Sequence, residues 1–192
     1  MSMNRPDATG LRQSGKALED SFFARENARL LQQLKEKEAK AAKRQAFKEI
    51  ANFENEQLID ALIELEIEPH EVAALALVPL VVVAWADGEI QSKEREAIIK
   101  AAEEGGIEPG SENHQLLENW LTCKPSRELM KIWAVYAREI EARLDSVTGQ
   151  ALKERVMSRT TDIAKAAGGF LGIGAISDSE QRVLDELERA FG

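Results

Sequence analysis

Val72 to Ala86, VAALALVPLVVVAWA, holds fifteen residues without one charged side chain. A helix apolar on every face is buried on every face, either inside a bundle or in lipid. Spanning a bilayer takes roughly 18 to 20 apolar residues. This run is shorter than that, and Pro79 interrupts it. It therefore predicts the central helix of a bundle and no transmembrane segment. Glu68-Pro69 is expected to open that helix, because proline suits the first helical position. Pro79 is expected to kink it, leaving a carbonyl one turn back without its usual donor.

The remaining periodicity is helical almost throughout. Pro and Gly are few among 192 residues, and a chain of this length can bury a substantial core. Glu56–Glu66 reads as a short amphipathic helix. Ser92–Glu104 is a helix stopped by Gly105-Gly106, where glycine can take the left-handed backbone. Ser111–Thr122 follows, then a helix capped by Ser126 whose apolar residues recur at steps of three and four from Leu129 to Leu144. Thr148–Gly168 and Asp178–Phe191 complete the pattern. The fold class expected is all-α, a bundle of about seven helices over 56–192 preceded by a long basic helix over 15–53. Residues 1–14 read as a disordered lead-in with no signal peptide.

Charge divides the chain. Through Lys48 there are eleven Lys and Arg against six Asp and Glu, a net +5; Glu49–Gly192 carries fourteen against twenty-eight, a net −14. The acidic body argues against nucleic-acid binding, which needs a positive face toward phosphate. A basic arm on an acidic body is expected either to fold back on the body or to seek an acidic partner. Its large apolar residues are sparse, and after Leu34 it becomes KEKEAKAAKRQ, a solvated face. Leu30 and Leu34 stand one turn apart, compatible with a short coiled coil and hence a homo-oligomer. The single Cys123 cannot form an internal disulfide, which suits a reducing cytoplasm, and is expected to pack as a small hydrophobe.

Two blocks repeat in register. Asp87-Gly88-Glu89-Ile90-Gln91-Ser92-Lys93-Glu94 aligns with Ile173-Gly174-Ala175-Ile176-Ser177-Asp178-Ser179-Glu180. Each joins a small-residue apolar helix to an amphipathic one. Ser177-x-x-Glu180 fits a capping box, with Gln91 and Glu94 in the same places. Asp87 can accept hydrogen bonds from its own turn while Gly88 relieves the backbone. Structure alone can thus account for these residues; so can a hard cation, Ca²⁺ or Mg²⁺, held by Asp87, Glu89 and Glu94. Glu180 has no acidic neighbours in its own copy and is expected to act only as a cap. His70 and His114 lack zinc spacing. Gly168, Gly169, Gly172 and Gly174 lack a preceding strand, so they read as a close helix contact and not a nucleotide loop. Trp85, Trp120, Trp133 and Tyr136 read as core.

The block AWADGEIQSKE, with its partner GIGAISDSE, resembles the TerB-like (tellurite-resistance) domain, whose signature is an Asp-Gly-x-Ile turn followed four residues later by Glu. The resemblance covers roughly 56–192. It implies an all-helical pseudo-repeat bundle and a non-catalytic cytoplasmic stress-response module, with a divalent-cation site that maps to Asp87, Glu89 and Glu94. Within the arm, Lys16-Ala17-Leu18-Glu19-Asp20-Ser21-Phe22-Phe23 is similar to the helix of the ATPase-inhibitor family, with Ser14-Gly15 where that family has Arg-Glu. That similarity implies a regulator whose helix inhibits a nucleotide-driven ATPase. Either way, Lys16, Glu19, Phe22, Phe23 and Arg25 are the residues expected to meet a protein partner.

Overall fold

The computed structural model describes the backbone of residues 8–167 and 176–191, with side chains at Phe22 and over 25–166 and 176–191. Among them are eight α-helices, one 3-10 helix and no strand. The α-helices are α1 (Ala8–Ile50), α2 (Glu56–Glu64), α3 (Val78–Ala84), α4 (Ser92–Glu104), α5 (Glu112–Thr122), α6 (Arg127–Glu141), α7 (Ser146–Ala167) and α8 (Asp178–Ala190). The 3-10 helix, Pro69–Leu77, precedes α3. The all-α expectation holds. Helix α1 starts at Ala8, inside the stretch expected to be a lead-in, and Gly168, Gly169, Gly172, Ile173, Gly174 and Ala175 lie outside the described residues.

The chain divides into two compact units, Met1–Lys43 and Arg44–Gly192. The first is helix whose surface is tied by one-turn pairs such as Arg29 to Glu26 at 2.6 Å and Gln32 to Glu36 at 2.8 Å. These are worth only tenths of a kcal/mol each. Its apolar residues Leu30, Leu31 and Leu34 are exposed.

The boundary of the second unit corrects the expected start at Glu56. The last two turns of α1 belong to the bundle, because Phe47 is fully buried and stacks on Phe53 with ring centroids 6.4 Å apart. Phe53 in turn meets Tyr136 of α6 edge-on at 6.0 Å. Between the two phenylalanines the backbone reverses at Asn52, φ +53, a left-handed residue that asparagine tolerates. Arg44 pairs with Glu56 at 3.0 Å and also with Asp60, and Lys48 pairs with Glu56, so the end of α1 is fixed to α2 by charge as well. Asn55 caps α2, accepting from the N–H groups of Gln57 and Leu58.

The central run is buried as expected, but it is not one kinked helix. Pro69–Leu77 winds as a 3-10 helix, and α3 starts afresh at Val78 with Pro79 in its first turn. A proline there sacrifices nothing, since first-turn N–H groups have no intrahelical acceptor. The carbonyl of Leu75, which Pro79 cannot serve, instead accepts the Val78 N–H in the tighter 3-10 pattern. Asn113 of α5 steadies the 3-10 turn from outside: it accepts the Ala74 N–H at 3.0 Å and donates to the His70 carbonyl at 2.8 Å. The 3-10 and α3 stretch lies at 89° to α2, and no single helix among the described residues is long and apolar enough to cross a membrane.

Helix α3 sits at the centre of this unit. It packs on α4, α6, α7 and α8, and every residue from Val78 to Ala84 except Val82 is buried. Trp120 and Trp133 are core, Trp133 meeting Phe191 edge-on at 5.4 Å. Cys123 corrects its expectation, being free and exposed. It is the residue at which α5 stops, with extended backbone, so its side chain leaves the apolar stripe.

Candidate functional site

The Asp87-Gly88-Glu89 turn forms because α3 ends at Ala84 and the backbone must turn left-handed to launch α4. Gly88 has φ +104, and a Cβ there would meet nothing within 4 Å, so the demand for glycine is conformational and not steric. The Gly88 N–H reaches the Trp85 carbonyl at 3.1 Å. Asp87 accepts the Glu89 N–H at 3.2 Å, as an aspartate turn does. Asp87 and Glu89 are both exposed.

Glu94 is different. It sits in the first turn of α4, 2 % exposed, and its Oε2 accepts the Gln91 N–H at 2.8 Å. Glu180 holds the same place in α8, 6 % exposed, with its Oε2 on the Ser177 N–H at 2.6 Å. The Ser177 hydroxyl completes that box by accepting the Glu180 N–H at 3.2 Å. Glu71 repeats the reach-back at the start of the 3-10 helix, accepting the Glu68 N–H at 2.7 Å. The capping role read from the sequence is therefore present at α4 and α8, and the structure adds a third instance at Glu68 and Glu71.

Glu94 also feels the charge of Glu180. Burial pushes the Glu94 carboxyl up to about 7, and the charges of Asp87 and Glu180 push in the same direction against the lowering effect of the Gln91 hydrogen bond. Removal from water destabilises the charged form, and a nearby like charge does so further. This corrects the expectation that Glu180 stands apart from other acids. Its neighbour is not in its own copy of the repeat but in the other one. The repeat was visible in the sequence, but the convergence comes from packing: α3 packs on α7 and α8, and α4 on α7, which brings the two copies together.

As a cation site the expected trio does not fit. Among the described residues no three His, Cys, Asp or Glu side chains form a group that could hold a metal ion. Asp87 and Glu94 are electrostatic neighbours, but Glu89 does not figure among the charges acting on Glu94. A hard cation takes six or more oxygens. What the arrangement provides is a buried carboxyl that exchanges a proton near neutral pH. His70 meets Glu112 at 2.8 Å on the surface, away from any zinc-like set. In the arm, Phe22 and Arg25 are exposed, whereas the side chains of Lys16, Glu19 and Phe23 lie outside the described residues.

No protein-family model, curated protein or solved structure matches this chain.

Proposed function

We propose that the chain is a non-catalytic interaction module of the TerB-like type, in which the bundle is a scaffold and the helical arm binds a protein partner. The observation that supports it is the set of apolar side chains the arm leaves in water. Phe22, Leu30, Leu31 and Leu34 are between 46 % and 63 % exposed. Burying one such side chain fully is worth about 1.5–3 kcal/mol, and a patch of them is what an interface uses. The arm's positive charge favours a partner with an acidic surface. An exposed unpaired Cys123 is compatible with work in a reducing cytoplasm. No cation enters the proposal, since Glu94 serves as a cap, Asp87 holds its own turn and Glu89 is exposed.

A photo-crosslinking residue at Leu31 in the native cell, set against one at Lys100 on the bundle, tests this. A discrete crosslinked species at position 31 that disappears with Leu30→Ser and Leu34→Ser is expected. Crosslinking that is absent, or that ignores those substitutions, defeats the proposal. The competing reading gives the arm an inhibitory role toward an F-type ATPase, in line with exposed Phe22 within its Lys-Ala-x-Glu-x-x-aromatic pattern. Inhibition of purified ATPase by a synthetic arm peptide spanning 8–43 would favour it.

A further inference from the structure

A second surface, on the bundle itself, has its own character. A cavity of about 400 Å³ opens between α3, the α5–α6 connection, α6 and α8. Its floor is apolar and partly buried: Val82, Trp85, Met130 and Val183. A second hollow of about 200 Å³ shares Met130, Lys131 and Glu186 with it and continues along α6 past Ala134 to Arg138. The two make one groove along the seam where α6 packs on α8.

The rim is basic on a body that is otherwise acidic. Lys124, Arg127 and Lys131 edge the first hollow, Arg138 and Arg189 the second, with Glu186 the one acid lining either. Arg127, Lys131 and Arg138 stand at i, i+4 and i+11 of α6, a single stripe rising about 16 Å along the axis. Met130 and Ala134 form the parallel apolar stripe, at i+3 and i+7. Lys124 is already ordered, donating to the Trp85 carbonyl at 2.9 Å with its ammonium 5.8 Å from the centre of the Trp85 ring. Arg127 makes no ion pair among the described residues, whereas Lys131 pairs with Glu128 at 2.7 Å and Arg138 donates to the Ala190 carbonyl at 3.2 Å, so a ligand acid would compete with Glu128 at Lys131.

We infer that this groove binds an acidic amphipathic helix of a partner protein, with its apolar residues on the Val82–Trp85–Met130 floor and its Asp or Glu side chains along the α6 stripe. Three cations spread over three turns match a ligand with several acids in a row, not a small molecule with one anionic head. The apolar floor sets it apart from a phosphate-binding surface, which would need none. The chain's own arm, net +3 over 1–43, has the wrong sign. The inference is independent of the partner proposed for the arm. Recognition would follow the helix-in-groove mode, with apolar anchors one turn apart.

The test uses the full chain and a fluorescein-labelled peptide of about fifteen residues, with Leu at spacings of three and four and Glu on both flanks. Anisotropy should show saturable binding that weakens as salt is raised. A twin with Gln for Glu, and another with Ala for Leu, should each bind about tenfold weaker or worse, as loss of steering charge or of anchors requires. Arg127→Glu with Lys131→Glu, both exposed positions, should lose the Glu peptide by a similar factor and gain a Lys twin, with an unchanged thermal melt. No saturable binding, equal binding of the Glu and Gln twins, or an affinity indifferent to the charge reversal would overturn the inference. So would dodecanoate that saturates the site while the peptide fails to displace it, because the groove would then be a small-amphiphile site.

Discussion

Glu94 and Glu180 hold equivalent places in two copies of one motif, and the charge of Glu180 helps keep a proton on Glu94. Each carboxylate reaches back to the N–H of its own helix-capping residue, so each is satisfied locally. Glu94 is the more deeply buried of the two, 2 % exposed against 6 %. Loss of water chiefly favours the protonated form of Glu94, and the charges of Asp87 and then Glu180 add to it. Its carboxyl is shifted up to about 7.

Stability should therefore fall with rising pH. The native state holds the Glu94 proton more tightly than the unfolded chain does, so its contribution is full below about pH 4.5 and is lost by about pH 7. Linkage puts the loss at on the order of 3 kcal/mol. Glu94→Gln keeps an acceptor for the Gln91 N–H without the charge. Urea unfolding of this variant should show more stability than wild type at pH 8 and near equality at pH 4. An identical pH slope in variant and wild type would show that Glu94 does not set it.

Removing the negative charge at Glu180 should be felt at Glu94. Glu180→Gln is expected to lower the pH at which Glu94 titrates, followed by the Glu94 side-chain carbon resonance in NMR. An unmoved titration would mean that the two carboxyls do not communicate.

Divalent ions should leave the protein unchanged. A cation shared by Asp87, Glu89 and Glu94 would add about 2.7 kcal/mol at a hundredfold excess over its Kd. The expected thermal melt is the same with and without millimolar Ca²⁺ or Mg²⁺. A rise in Tm that Asp87→Asn abolishes would restore the cation reading.

Residues 44–192 should unfold cooperatively alone, and 56–192 should not match them. The shorter piece loses Phe47 and Phe53, 0 % and 2 % exposed. Losing one buried phenylalanine costs about 3–5 kcal/mol. Comparable urea midpoints for the two pieces would return the boundary to Glu56.

Which features were legible in the sequence follows from what each depends on. Helix starts are local: Ser177 caps the helix it was read to cap and Glu180 closes its box, whereas Ser126 takes the N-cap place of α6 without a side-chain cap hydrogen bond. The boundary at Phe47 was hidden because KEKEAKAAKRQ and AFKEI belong to one uninterrupted helical pattern, and only tertiary packing separates them. The 3-10 turn before Pro79 was hidden for a related reason. A missing N–H can be met by a kink or by a restart, and the choice falls to neighbours such as Asn113. The meeting of Glu94 with Glu180 spans eighty-six positions and rests on packing between the repeat's halves. The repeat itself was visible, but which of its residues come together was not.

Val81 and Val82, adjacent in α3, give the last prediction. From sequence alone any residue of the run looks equally buried. In the fold Val81 is fully buried, whereas Val82 is partly exposed on the floor of the α6–α8 groove. An unpaired carboxylate forced into a dry interior costs several kcal/mol or takes up a proton. Val81→Asp should therefore cost on the order of 3 kcal/mol or more and recover stability as the pH falls. Val82→Asp should cost clearly less, because its carboxylate reaches water, with Lys124 on the same groove. Urea unfolding of both variants at pH 5 and pH 8 measures the difference. Equal losses at Val81 and Val82 would mean that α3 is enclosed on all sides, and the groove would not be the open surface described above.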